Sequence, residues 1–146
     1  MMDMILVVCE GNICRSPMAA GLLKRALPGL QVLTAGLTAR PGTEVDRDAR
    51  EVMAQVGVDI GAHVSTPLSP ALIRSADIVL AMTREQCKRI ESANPFSTGK
   101  VYRLGHQQQI DIADPFRLGR AAATACLAEI QRALTYWLDI IGQPTR

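Results

Sequence analysis

The chain has 146 residues, 48% hydrophobic and 21% charged, with a net charge of +2. That length suits a single domain spanning residues 1–146, and the composition supports an ordinary buried core rather than disorder. Five aromatics without an interleaved basic run exclude a nucleic-acid-binding reading, and no apolar stretch approaches the roughly 18 residues of a membrane span.

Met4 to Val8 is short, apolar and partly β-branched, which predicts a buried strand; Ser16-Pro17 ahead of Met18 to Lys24 predicts a helix start, with Ser16 as its cap and Pro17 at the first helical position. A second strand is expected from Leu30 to Ala35, closing on Gly36. A helix from Asp46 to Val56 puts Ala49, Val52, Met53 and Val56 on one face. Pro67 and Pro70 mark a loop into a short helix, followed by a third strand at Asp77 to Met82 and a helix at Arg84 to Ala93. Lys100 to Leu104 predicts a fourth strand. The last helix, Leu118 to Ile141, carries Ala122, Cys126, Ile130, Ala133, Leu134, Trp137 and Ile141 on a core stripe, and Gly142 with Pro144 ends it. Strands that are continuously apolar and alternate with helices imply a parallel α/β sheet covered on both faces, with function at the carboxyl end of the first strand.

The segment joining that strand to its helix reads Cys9-Glu10-Gly11-Asn12-Ile13-Cys14-Arg15-Ser16. Unpaired N–H groups and the helix dipole collect partial positive charge at a helix N-terminus, so the loop is a ready site for an oxyanion. The same field, with Arg15 nearby, favours a thiolate at Cys9 and makes it a nucleophile. The guanidinium of Arg15 can take two phosphoryl oxygens at once, which lysine cannot. Gly11 and Asn12 tolerate the left-handed angles needed for successive N–H groups to converge, and Ser16 can offer its hydroxyl to the sulfur. Taken singly, Cys9 would be a buried strand end and Arg15 a solvated cation; eight consecutive compatible residues favour the phosphate loop, with Glu10, Gly11, Asn12, Ile13, Cys14 and Ser16 lining it around Cys9 and Arg15.

Cys9, Arg15 and Ser16 match the Cys-x5-Arg-Ser signature of the low-molecular-weight protein tyrosine phosphatases, and Asp114-Pro115, about a hundred residues on, matches that family's Asp-Pro pair. Thr34 to Leu37 and Leu104-Gly105-His106 extend the resemblance over the whole chain, most closely to the bacterial branch. It implies a three-layer fold with a four-stranded parallel sheet of order 2-1-3-4. The implied activity is hydrolysis of phosphotyrosine through a phosphocysteine, with no cofactor or metal. Asp114 would protonate the departing phenolate and then take a proton from the attacking water, because an oxyanion leaves poorly. Asp111 is a competing acid that lacks the following proline.

Leu37 and Phe116 match family positions flanking the pocket mouth. Phe116 stands where many relatives have tyrosine, and Arg117 where eukaryotic relatives carry a second one, so regulation by phosphorylation of that pair is not expected. Leu37 is similar to the residue of bacterial enzymes acting on tyrosine autokinases of exopolysaccharide or capsule export, which implies such a kinase as partner. Free thiol chemistry implies a reducing compartment, hence the cytoplasm; a monomer without membrane insertion is expected. His63 and His106 have no ligand spacing and read as surface or polar-network residues; Cys87 carries no assigned role, and Cys126 is expected to be buried. Cys14 is open between a partner that shields Cys9 by disulfide formation and an inert filler. Two rivals are a thioredoxin-coupled arsenate reductase, disfavoured because Cys87 has no relay partner, and a phosphotyrosine-binding or redox-sensing module without turnover.

Overall fold

A computed structural model describes residues 2–142. Its elements are β1 (Met4–Cys9), α1 (Arg15–Ala26), β2 (Gln31–Gly36), α2 (Arg47–Gln55), α3 (Pro70–Ser75), β3 (Ile78–Ala81), α4 (Arg84–Ala93), β4 (Val101–Arg103) and α5 (Arg120–Ile141), with a 3-10 turn at Pro95–Ser97 before β4. The four strands pair in parallel in the order β2-β1-β3-β4. Every residue of β1 is buried, and its side chains alternate between two cores. Ile5, Val7 and Cys9 face α1, α2 and α5; Met4, Leu6 and Val8 face Ile73 of α3 and Cys87 and Ile90 of α4. Continuous apolar patterning therefore means what it should, a strand wetted on neither face.

The helix starts follow local chemistry. Asp46 accepts a bond from Ala49 N at 3.0 Å to cap α2, Ser69 caps α3 with Pro70 behind it, and Thr83 and Gln86 form a reciprocal capping box on α4. α1 differs. Its cap is Cys14, whose side chain makes no capping bond, and Ser16 lies inside the first turn with Pro17 behind it, so the helix starts two residues earlier than a Ser16 cap requires. Ser16, already inside the helix, turns its hydroxyl toward Cys9 instead. α5 begins at Arg120, not Leu118, because Gly119 at φ 95° breaks the helical path; Ala123 and Leu127 join its buried stripe while Ala122 is half-buried. Gly142 caps that helix by donating to Leu138 O, and Pro144 lies outside the described residues. Among the described residues no helix is long and apolar enough to cross a membrane.

Candidate active site

Register fixes the site's floor. Cys9, the last residue of β1, stands opposite Gly36, the last of β2, and Leu37 N donates to Cys9 O at 3.0 Å. A Cβ at Gly36 would sit 2.8 Å from Glu10 O and 2.9 Å from Asn12 N, so only glycine lets the loop pass this close to β2. Above it, the loop folds around the Cys9 sulfur. Asn12 N–H donates to Cys9 Sγ at 3.2 Å, and Ser16 Oγ lies 3.0 Å from it.

Asn12 is the hinge of this arrangement. At φ 56° it occupies the left-handed region that asparagine tolerates, and each of its polar groups is used. Its Nδ2 donates to Ser16 Oγ at 2.7 Å, its Oδ1 accepts from Thr66 N at 2.8 Å, and its carbonyl accepts from His63 Nε2 at 2.7 Å. That last bond fixes the Nε2–H tautomer, while burial holds the His63 pKa below its usual value despite the carbonyl's opposing pull. Neither His63 nor Thr66 carries a local sequence signal for this work; of the three, only Gly36 hinted at it, by closing its strand.

Arg15 is 4% exposed, an unusual position for a guanidinium. Its Nη1 donates to Ile112 O at 2.8 Å, and its Nη2 lies 3.5 Å from Asp114 Oδ2. Ile112 N in turn donates to Met82 O at 2.9 Å, which ties the Asp114 loop to the end of β3. Asp114 accepts a bond from Phe116 N through its other oxygen at 3.1 Å. Asp111, the competing acid, is committed elsewhere: it accepts from Arg84 N at 2.9 Å and from Arg103 Nη1 at 3.0 Å, and the first of these bonds leads in holding its pKa below the usual carboxylate value.

These groups enclose a pocket of 170 Å³ lined by Cys9, Glu10, Gly11, Ile13, Cys14, Arg15, Thr38, Asp114 and Phe116. Larger hollows of 630 and 400 Å³ lie beside α2 and behind α1, but neither gathers a thiol, a guanidinium and a carboxylate. Glu10 lines the mouth with its carboxylate already engaged, by Arg89 Nη1 and Nη2 at 2.8 and 3.1 Å and by Thr38 Oγ1 at 3.0 Å. The bond from Arg89 is the main reason its pKa falls below the usual value. Leu37 is absent from the lining: half-buried, it packs on the core face shared with α3 and α4, and Thr38 stands at the mouth instead. Leu37 packs in the same core as Ala35, and the exposed Thr38 takes the mouth of the pocket.

Cys14 is buried, with its thiol turned toward Met18 Sδ at 4.0 Å, and desolvation raises its pKa far above the usual range. Cys126 lies on the buried stripe of α5, its pKa pushed up to about 12 by burial. His106 is exposed, in an aromatic cluster with Tyr102, Tyr136 and Trp137, whose Nε1 donates to Leu104 O at 2.7 Å.

Chemically, the arrangement can hold a tetrahedral oxyanion over a sulfur nucleophile, with a carboxyl group on the leaving-group side. Comparison with known proteins agrees with that chemistry. The family described as low molecular weight phosphotyrosine protein phosphatase matches residues 4–145. A relative named probable low molecular weight protein-tyrosine-phosphatase EpsP, of Ralstonia solanacearum, is 47% identical over 141 residues, 97% of each chain. Among solved structures, the tyrosine phosphatase Wzb of Escherichia coli K30 in complex with sulphate superposes with a TM-score of 0.92 at 32% identity, covering 97% of this chain and 99% of that one. Wzb of Vibrio vulnificus in complex with benzylphosphonate gives 0.91 at 33%, covering 95% and 99%. The chain belongs to the low molecular weight phosphotyrosine protein phosphatase family and is a protein-tyrosine phosphatase.

Proposed function

We propose that Cys9, Arg15 and Asp114 carry the reaction in two displacements. In the first, the Cys9 sulfur enters as a thiolate and forms an S–P bond while the bond from phosphorus to the tyrosyl oxygen breaks, and Asp114 gives that oxygen its proton. In the second, water attacks phosphorus and passes a proton to Asp114, the S–P bond breaks, and inorganic phosphate leaves. Arg15 and the loop N–H groups hold the equatorial oxygens throughout, where charge accumulates in the transition state. The observation that carries this reading is the convergence of a buried thiol, a buried guanidinium and an acid 3.5 Å from that guanidinium on one pocket.

Ile13 and Phe116 supply apolar walls above the loop, which suits an aromatic ring. The physiological substrate is a bacterial tyrosine autokinase of exopolysaccharide or capsule export, a reading supported by whole-length likeness to EpsP and Wzb. The enzyme acts as a one-domain monomer in the cytoplasm and needs no cofactor. Incubation with p-nitrophenyl phosphate at mildly acidic pH tests the chemistry: phenol release should survive a chelator, stop with vanadate and vanish in Cys9→Ser. No release, with phosphopeptide binding retained, would mark a binding module instead. Dephosphorylation of a purified tyrosine autokinase from the same genome tests the partner.

A further inference from the structure

The turn after Asp114-Pro115 presents Phe116, Arg117 and Leu118 to solvent at the rim of the phosphate pocket. Large apolar side chains are exposed at Val64, Phe96, Phe116, Leu118 and Ile140, so two of these five lie on either side of Arg117. The Arg117 guanidinium sits 5.0 Å above the Phe116 ring, and that ring lines the pocket. Arg117 itself holds φ 61°, a left-handed backbone that glycine adopts freely and arginine does not. The turn is ordered without its side chain, by Phe116 N–H to Asp114 Oδ1 at 3.1 Å and Leu118 N–H to Pro115 O at 3.0 Å.

Neighbouring arginines are spent on internal partners: Arg15 on Asp114, Arg89 on Glu10 and Glu85, Arg120 on Asp48 and Glu51. Among the described residues no carboxylate pairs with Arg117. A strained backbone that displays an unpaired cation between two exposed apolar groups, beside a site that accepts a side chain from another protein, points outward to that protein.

We infer that this turn selects the polypeptide around the phosphotyrosine, with Arg117 pairing an aspartate or glutamate one or two residues from it. An extended peptide advances about 3.4 Å per residue, so a carboxylate at either distance reaches a guanidinium stacked on the pocket wall. The inference rests on the hydrolytic reading above and names its substrate class: acidic phosphotyrosine segments.

The test uses two phosphotyrosine peptides that differ only in carrying aspartate or serine at the flanking positions, and reads the ratio of their kcat/KM values, which cancels any general loss of activity. The ratio should favour the acidic peptide at low salt and shrink at high salt. It should fall about threefold to tenfold in Arg117→Gly, a change that also relieves the left-handed strain, and invert in Arg117→Glu. Arg132→Gln, about 18 Å along α5 from Arg120, removes the same net charge beyond a screening length and should leave the ratio as it was. A ratio unchanged in both Arg117 variants, or lowered equally by Arg132→Gln, overturns the inference. The same peptides bound to Cys9→Ser, followed by fluorescence anisotropy, separate the two readings. Preferential binding that depends on Arg117, without turnover by the unsubstituted enzyme, would sink hydrolysis and leave the surface standing; equal turnover of both peptides would do the reverse.

Discussion

The loop of residues 9–16 buries Asn12 and Ser16 completely and leaves Arg15 only 4% exposed, whereas across the pocket Asp114 exposes 47% of its side chain and Leu118 stands 69% exposed. The first loop is tied by hydrogen bonds to the segments around residues 38, 46, 63–66 and 112. The second holds its outer turn with two short-range bonds of its own. The contrast separates two tasks. The anion cradle is a product of the fold, so damage there should cost stability and activity together; the acid and the rim are additions to its surface, so damage there should cost activity or selectivity alone.

Five substitutions sharpen or break that division. Cys9→Ser should reduce phosphatase turnover to background, the largest effect, while circular dichroism stays native, because a hydroxyl can keep the cradle's bonds from Asn12 N and to Ser16 while losing the nucleophile. Asp114→Asn should lower kcat about 10²- to 10⁴-fold while inhibition by vanadate and the thermal midpoint stay close to those of the unsubstituted enzyme. A matching loss of thermal stability would put Asp114 in the scaffold and erase the distinction.

Gly36→Ala should destabilise the protein by about 1–3 kcal/mol in urea unfolding, because the new methyl meets backbone rather than a movable side chain. Asn12→Ala should cost a similar amount, about 1–3 kcal/mol, since Thr66 N loses its acceptor, and both variants should lose kcat/KM as well.

Glu10→Gln should have the smallest effect, and one that depends on pH. The folded-state pKa of Glu10 is lowered chiefly by its bond from Arg89, so its contribution is present above the unfolded value and drains away as pH falls through the folded value. The Tm gap between the unsubstituted chain and the variant should therefore close as pH drops from about 6 to about 3. A gap that widens in acid would show that Glu10 does not act through that ion pair.

The sheet, its helices and the loop were legible because each rests on local rules. A wholly apolar β1, the shared face of Ala49, Val52 and Met53 on α2, and eight residues of phosphate-loop chemistry all declare themselves in short windows. Strand order was not legible from periodicity and came from family resemblance. Of the two roles expected of Ser16, the hydroxyl facing the sulfur is present and the helix cap is not. Two details escaped because orientation is settled by distant partners: Glu10 is drawn to Arg89, which lies 79 residues on, and Leu37 turns into the core. His63 and Thr66 could not be seen at all, since the hydrogen bonds that join them to the loop run through the polar groups of Asn12.

The attachment of the phosphate loop to so many separate segments has a consequence for how the molecule comes apart. Amides such as Asn12 N and Asp46 N, held by acceptors from within that knot, should exchange with deuterium only when the whole chain opens. Catalytic competence would then disappear together with the sheet during denaturation, making residual turnover a direct count of intact molecules.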